Sequence, residues 1–250
     1  MKLIFLMLAC FVAAFVDAVA GGGGLISLPA YIIAGIPSHF ALGTNKFASS
    51  CGTSISTLKF AKEKKIDFQL IRYFAPIALV GAVLGVNTVL LIEPKILTPL
   101  VMVMILAVGI YTLFSKSMGS ENAYEGASRQ SILLGMFLVF VISFYDGFFG
   151  PGAGTFLVFS FTKLFRFDFL HANANAKPMN LISNLTSLVV FAINGKVLFH
   201  YAVPIAAAMM LGGWLGAKAS IKNGSKIIKP LFILMSLGAS VKLFIEYFVG

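Results

Sequence analysis

Charge is scarce in this chain. Of its 250 residues, 11% are Asp, Glu, Lys or Arg, 59% are hydrophobic, and the mean hydropathy is +0.95. Soluble globular domains carry about 25% charged residues, so the shortage excludes an ordinary soluble protein and predicts an integral membrane protein. Acidic residues are the scarcer kind, 9 against 19 Lys and Arg. In a soluble chain that balance would suggest a nucleic-acid partner. In an apolar one, lysines held in cytoplasmic loops by the positive-inside rule account for it, so the expected partner is the lipid bilayer and not nucleic acid. Cysteine is limited to Cys10 and Cys51, which stand alone in apolar surroundings. Without ligand spacing they read as small core residues and not as a disulfide or metal pair. Short alternating segments of the outer-membrane type are also missing. The apolar runs approach 20 residues, which predicts an all-α, polytopic helical membrane protein.

Catalytic signatures are absent as well. No Gly-Lys-Ser/Thr follows a glycine run, so there is no phosphate loop and no sign of ATP as energy source. No Ser-His-Asp set, His-Glu-x-x-His or paired intramembrane aspartates support a hydrolase. His39, His171 and His200 lack the company of a metal site. No enzyme activity, cofactor or metal is expected.

What the chain does have is a polar interruption in residues 17–46. Asp17 precedes the glycines Gly21, Gly22, Gly23 and Gly24; Pro29 follows, and the stretch closes on Ala41-Leu-Gly-Thr-Asn-Lys46. Irregular backbone at bilayer depth persists only where protein or a watery cavity satisfies its polar groups, so this reads as a broken helix lining a site. The interruption occurs twice. Phe15, Asp17, Gly21 and Gly23 recur 129 residues later as Phe144, Asp146, Gly150 and Gly152. After a two-residue insertion the offset holds at 131, pairing Ala41 with Ala172, Lys46 with Lys177, Ser56 with Ser187, Gly81 with Gly212 and Gly85 with Gly216. Residues 1–114 and 131–250 are thus two copies of one unit, joined by a polar, cytoplasmic linker at 115–130. The start imitates a signal peptide, with Ala18-Val-Ala20 as a cleavage site. Because the same segment recurs inside the chain, residues 1–20 are expected to belong to the fold.

Each copy is expected to hold a helix, a short apolar segment and three longer helices. In the first these fall near 3–17, 25–36, 42–60, 70–92 and 96–114; in the second near 131–147, 154–165, 173–192, 198–217 and 228–248. The segments 25–36 and 154–165 are short for a roughly 30 Å span, so they are re-entrant or steeply broken. If each forms a there-and-back hairpin with the helix before it, residues 59–72, 115–129, 163–166 and 218–229 share a face holding 13 Lys and Arg. The other face then holds only 4, Lys2, Lys95, Lys196 and Lys242. A single crossing gives 10 against 7. The sharper split predicts two inverted repeats, a transporter architecture, with the amino end outside.

Lys46 and Lys177 are the first candidates for chemistry, because a lysine inside a membrane helix costs about 2.5–3.5 kcal/mol on insertion scales. Either each pairs with a carboxylate or snorkels, or each supplies positive charge to an anionic substrate. Ser49, Thr53 and Ser56 share the face of Lys46, and Asn180, Asn184 and Ser187 stand at the same columns after Lys177, with Ser183 beside them. Two such stripes suggest a polar cavity between the copies, with Asn45 and Asn175 as further donors. The breaks at Gly22, Gly23 and Gly152 open short helices whose unpaired N–H groups suit an anion. Gly81/Gly85 and Gly212/Gly216 read instead as packing positions. Asp17 and Asp146 are open between two roles: coupling to a proton or sodium ion, or serving as counter-ion to the lysines or cap to the broken helix.

The Asp-then-Gly-Gly-Gly run, Pro29, and Ala41-Leu-Gly-Thr-Asn-Lys46 closely resemble the start of the TauE/SafE sulfite exporter family. Gly150-Pro-Gly-Ala-Gly154, Ala176-Lys177 and Asn184-Leu-Thr-Ser187 resemble its second half. The likeness covers essentially the whole chain. It implies a bacterial inner-membrane secondary transporter exporting sulfite, organosulfonates or related sulfur-containing anions. The copies depart from each other where Asn45 meets Ala176 and Phe47 meets Pro178, so unequal contributions to the site are expected. A passive anion channel, or a membrane scaffold or enzyme subunit of sulfur metabolism, are the rival readings.

Overall fold

The computed structural model describes residues 1–104, apart from positions 94, 98 and 102, and residues 121–224. The segment expected at 228–248 and most of that at 96–114 lie outside the described residues. Every main element is a helix. The first copy has α1 (Lys2–Ala20), α2 (Gly24–Ile33), α3 (Ser38–Lys62) and α4 (Phe68–Leu90). The second has α5 (Arg129–Phe148), α6 (Ala153–Phe165), α7 (Phe169–Ile193) and α8 (Phe199–Asn223). Local chemistry sets several of these ends. Asp67 caps α4 through Gln69 N and Leu70 N, and Ser128 caps α5 through Ser131 N. Asp168 caps α7 by accepting from His171 N at 2.8 Å. Gly21 ends α1 in the left-handed conformation, at φ 82°.

Among the described residues, α1, α4, α5, α7 and α8 are long and apolar enough to cross a membrane, and α2 and α6 are shorter. Helix α3 has the length but carries Thr44, Asn45, Lys46, Ser49, Ser50 and Thr53, most of them buried inside the bundle. The exposed surface is apolar instead: Ile4, Phe5 and Leu8 on α1, Leu79 and Leu84 on α4, Phe137 and Val141 on α5, Leu211 and Trp214 on α8. An apolar exterior around a polar interior is the pattern that hydrocarbon solvent demands. The chain is a multi-pass membrane protein.

The first two helices of each copy form a hairpin. Gly35, just past α2, faces the ammonium group of Lys2, which lies 3.8 Å from where a Cβ would stand. In the second copy Gly135, early in α5, packs on the Phe165 ring at the end of α6. Each hairpin therefore returns to the end from which it set out. Those ends differ. At one end of the bundle, near the mouth of the first hairpin, the His39 ring meets Val89 O and Leu198 N donates to Thr44 Oγ1. At the other, near the mouth of the second, Tyr124 OH donates to Asp67 Oδ2 at 2.9 Å and Ala123 N to Arg166 O. Residues near 67, 123 and 166, grouped on one face by the lysine count, thus meet. The two hairpins touch tip to tip: a Cβ on Gly154 would stand 2.4 Å from Gly21 O, and one on Gly24 would stand 2.8 Å from Pro151 Cα.

Packing is exchanged between the copies. Helix α4 lies on α5 through Gly81 and Gly85, whose missing Cβ atoms leave room for the carbonyls of Phe140 and Phe144. Helix α8 lies on α1 through Gly212 and Gly216, against the carbonyls of Phe11 and Phe15. The glycine pairs serve close helix approach, as their spacing predicts. The same exchange repeats inside, where α3 packs on α8 and α4 on α7, while α3 and α7 meet at the centre.

Candidate functional site

The centre of the bundle is where the two broken helices, α1 and α5, stop. Asp17 and Asp146 sit in their last turns, so each place combines a carboxylate with the negative end of a helix dipole. Buried negative charge of that kind needs a cation, and the cation comes from the opposite copy. Lys46, eight residues into α3, donates to Asp146 Oδ1 and to Asp146 O, both at 2.7 Å. Lys177, eight residues into α7, donates to Asp17 Oδ2 at 2.8 Å and to Asp17 O. By helix rise each ammonium root lies about 12 Å along its helix. Two lysines and two aspartates sum to zero formal charge.

The two halves of this cross are unequal. Around Asp146 a closed ring forms: Asn180 Nδ2 donates to Asp146 Oδ2 at 2.9 Å, Asn184 Nδ2 to Asn180 Oδ1 at 3.3 Å, and Lys46 to Asn184 Oδ1 at 3.0 Å. Lys46 and Asp146 are each 3% exposed. The columns of Asn180 and Asn184 are occupied in the first copy by Ser49 and Thr53, whose side chains are shorter. Asp17 consequently lacks that ring. Among the described residues its Oδ1 accepts from Gly23 N alone, at 3.4 Å, and its side chain is 20% exposed while Lys177 is 1% exposed.

The room so left is a pocket at the centre of the bundle. Asn45, Lys46, Ser49 and Thr53 of α3 line it, with Asn180 and Asn184 of α7, Asp17 and Asp146. The tips supply Gly21, Gly23, Gly24, Gly150, Gly152 and Gly154, which brings the amino ends of α2 and α6 to the same space. Both helices therefore aim their positive dipole ends at it.

Most of the residues singled out from the sequence come together here: Lys46, Asn45, Ser49, Thr53, Asn180, Asn184, Gly23, Gly152, Asp17 and Asp146. Ser56, Ser183 and Ser187 of the two stripes do not line the pocket, and neither do Lys177, Gly22 and Asn175. Lys177 is buried behind Asp17, and Gly22 lies in the break without facing the space. Asn175 is at the far end of the bundle, accepting from Asp67 N and donating to His171 O, both at 2.8 Å. It ties α7 to the start of α4, so the structure gives it a joining role outside the pocket. Sequence reasoning missed Gly52 and Met209, which line the pocket, and Asn173, whose Nδ2 donates to Ala18 O and Val19 O. Asn173 stands opposite Leu42 in the repeat, so no matching pair marked it. Met209 reads as core because it is apolar. Among the described residues no cluster of His, Cys, Asp and Glu could hold a metal ion, and Cys10 and Cys51 are free.

Comparison with known proteins agrees with the membrane architecture. The family described as sulfite exporter TauE/SafE matches residues 6–243. The chain is 35% identical to a probable membrane transporter protein of Haemophilus influenzae, over 93% of this chain and 91% of that one. It is 34% identical to a probable membrane transporter protein of a Sinorhizobium species, over 96% and 92%. It is 32% identical to the probable membrane transporter protein YfcA of Escherichia coli strain K12, over 95% and 88%. No solved structure matches the chain significantly. With a family match across nearly its full length and three relatives named as membrane transporters, the chain belongs to the TauE/SafE sulfite exporter family.

Proposed function

We propose that this protein is a secondary transporter that exports small sulfur-containing anions, sulfite or organosulfonates, across the bacterial inner membrane. The observation that carries the reading is the convergence of Lys46, two helix amino termini and the side chains of Asn45, Ser49, Thr53, Asn180 and Asn184 on one pocket, beside Asp17 and Asp146. Such a set offers N–H and O–H donors and two helix amino ends beside carboxylates that the lysines balance, and donors of that kind suit an oxyanion. The hairpins opening on opposite ends of the bundle support treating the copies as inverted repeats. The pocket between them would then face each side in turn as one copy moves against the other. Binding measurements on purified protein with sulfite, sulfate, thiosulfate, sulfoacetate and taurine test the substrate class. Saturable binding of one or more of the anions, weakened at least about tenfold in Lys46→Gln, supports the reading; a lost charge-assisted hydrogen bond is worth about 1.5–3 kcal/mol. Preference for a cation, or no effect of the substitution, refutes it.

A further inference from the structure

The pocket is built for an anion but is already neutral. Lys46 spends its hydrogen bonds on Asp146 O, Asp146 Oδ1 and Asn184 Oδ1. Lys177 spends its own on Asp17. An anion entering this space adds at least one uncompensated negative charge to a buried site, where charge imbalance is costly. A carboxylate that takes up a proton removes one unit of that imbalance.

The two carboxylates are not equivalent candidates. Both oxygens of Asp146 are held at 2.7 and 2.9 Å, by Lys46 and Asn180, inside the closed ring. Asp17 Oδ2 is held by Lys177, but Oδ1 has the long contact to Gly23 N and belongs to the residue exposed to the pocket. Among the described residues, the charged groups around Asp17 are Lys177 from α7 and, across the pocket, Lys46 from α3 and Asp146 from α5, and helices α2, α6 and α8 bring only glycines and Met209 to this space. With Lys177 seated on Oδ2, Asp17 keeps one oxygen toward the pocket, and a proton needs one free lone pair.

We infer that Asp17 is the site of a co-transported proton, taken up at Oδ1 when the anion binds, so that one anion and one proton travel together. Protonation turns Asp17 from an acceptor into a donor facing the anion. It also leaves the Lys177 charge without its counter-charge on the first-copy side of the pocket, where Ser49 and Thr53 leave space. The inference rests on the anion reading above and deepens it.

Calorimetric titration of the wild-type protein in two buffers of different ionisation enthalpy counts the protons taken up. Sulfate, thiosulfate and sulfoacetate are suitable probes because their own charge is constant between about pH 6 and 9. The expected result is one proton per bound anion, with affinity rising by up to about tenfold for each unit that the pH falls. Asp17→Asn, a mimic of the protonated state, is expected to bind with no proton uptake and a flat pH profile. Binding without proton uptake in the wild type overturns the proposal, and that arm needs no variant to fold. Uptake persisting in Asp17→Asn, or affinity that follows sodium at fixed pH, also overturns it. If none of the three anions binds, the anion reading itself fails and takes this inference with it.

Discussion

The ion pair of Lys46 with Asp146 holds two charges almost out of reach of solvent, so its partners depend on each other. Removing one charge leaves the other buried and unpaired, which typically costs about 3–5 kcal/mol, while removing both can be nearly neutral. Asp146→Asn alone is therefore expected to lower stability by about 3–5 kcal/mol, and the double variant Lys46→Gln/Asp146→Asn to recover most of it. Thermal melting of the four members of this cycle in detergent checks the coupling; additive losses would show that the pair is not a unit. A second residue-scale expectation concerns Asp168 at the start of α7, outside the spans. Burial raises its pKa, but the hydrogen bonds from the side chain and backbone of His171, with the charges of His171 and Lys65, outweigh this and leave it below the usual carboxylate range. A depressed carboxylate stabilises the fold above the unfolded-state pKa and loses that contribution as pH falls through the folded-state value. The melting temperature of the wild type is thus expected to fall more steeply below about pH 4 than that of Asp168→Asn, and equal acid limbs would contradict the assignment.

At the scale of elements, the glycine contacts between copies are backbone against backbone. A Cβ on Gly85 would stand 2.0 Å from Phe144 O, where no side chain can rotate aside. Gly85→Ala is expected to push α4 from α5 and destabilise by about 1–3 kcal/mol, and Gly216→Ala to do the same to α8 and α1. Unchanged melting of both would mean that the helices do not pack so closely. These contacts were legible in the sequence because the repeat aligned Gly81 and Gly85 with Gly212 and Gly216, and small residues four apart mark a helix seam. The short segments were legible too, since 10 to 13 apolar residues between glycines and polar residues suit a hairpin arm better than a span. What the sequence could not tell was that each lysine would reach across to the aspartate of the other copy. Within a repeat Lys46 lies 29 residues after Asp17 and Lys177 lies 31 after Asp146, and periodicity says which face a residue occupies, not which helix it meets. Asn175 misled for the same reason: it lies two residues before Lys177, yet that offset turns it toward the α3–α4 junction and away from the pocket.

For the whole molecule, the duplication supplies the frame and small departures from it make the site. The pocket opens on the first-copy side because Ser49 and Thr53 replace the amides that fill the matching columns of the second. Rebuilding those amides should close it. Ser49→Asn/Thr53→Asn is expected to keep or raise the melting temperature, by completing a ring around Asp17, while weakening anion binding at least about tenfold; binding at wild-type strength would place the substrate elsewhere. The central claim, that Lys46 presents an anion to both sides of the membrane, is tested most directly by flux. Purified wild-type protein and Lys46→Gln/Asp146→Asn, whose paired charges are both removed, are reconstituted in liposomes loaded with sulfite or sulfoacetate, and efflux is followed. Saturable efflux of at least one of these anions by the wild type, reduced about tenfold or more in the folded double variant, is the predicted result. Equal efflux from both, or none above protein-free liposomes, would contradict the account.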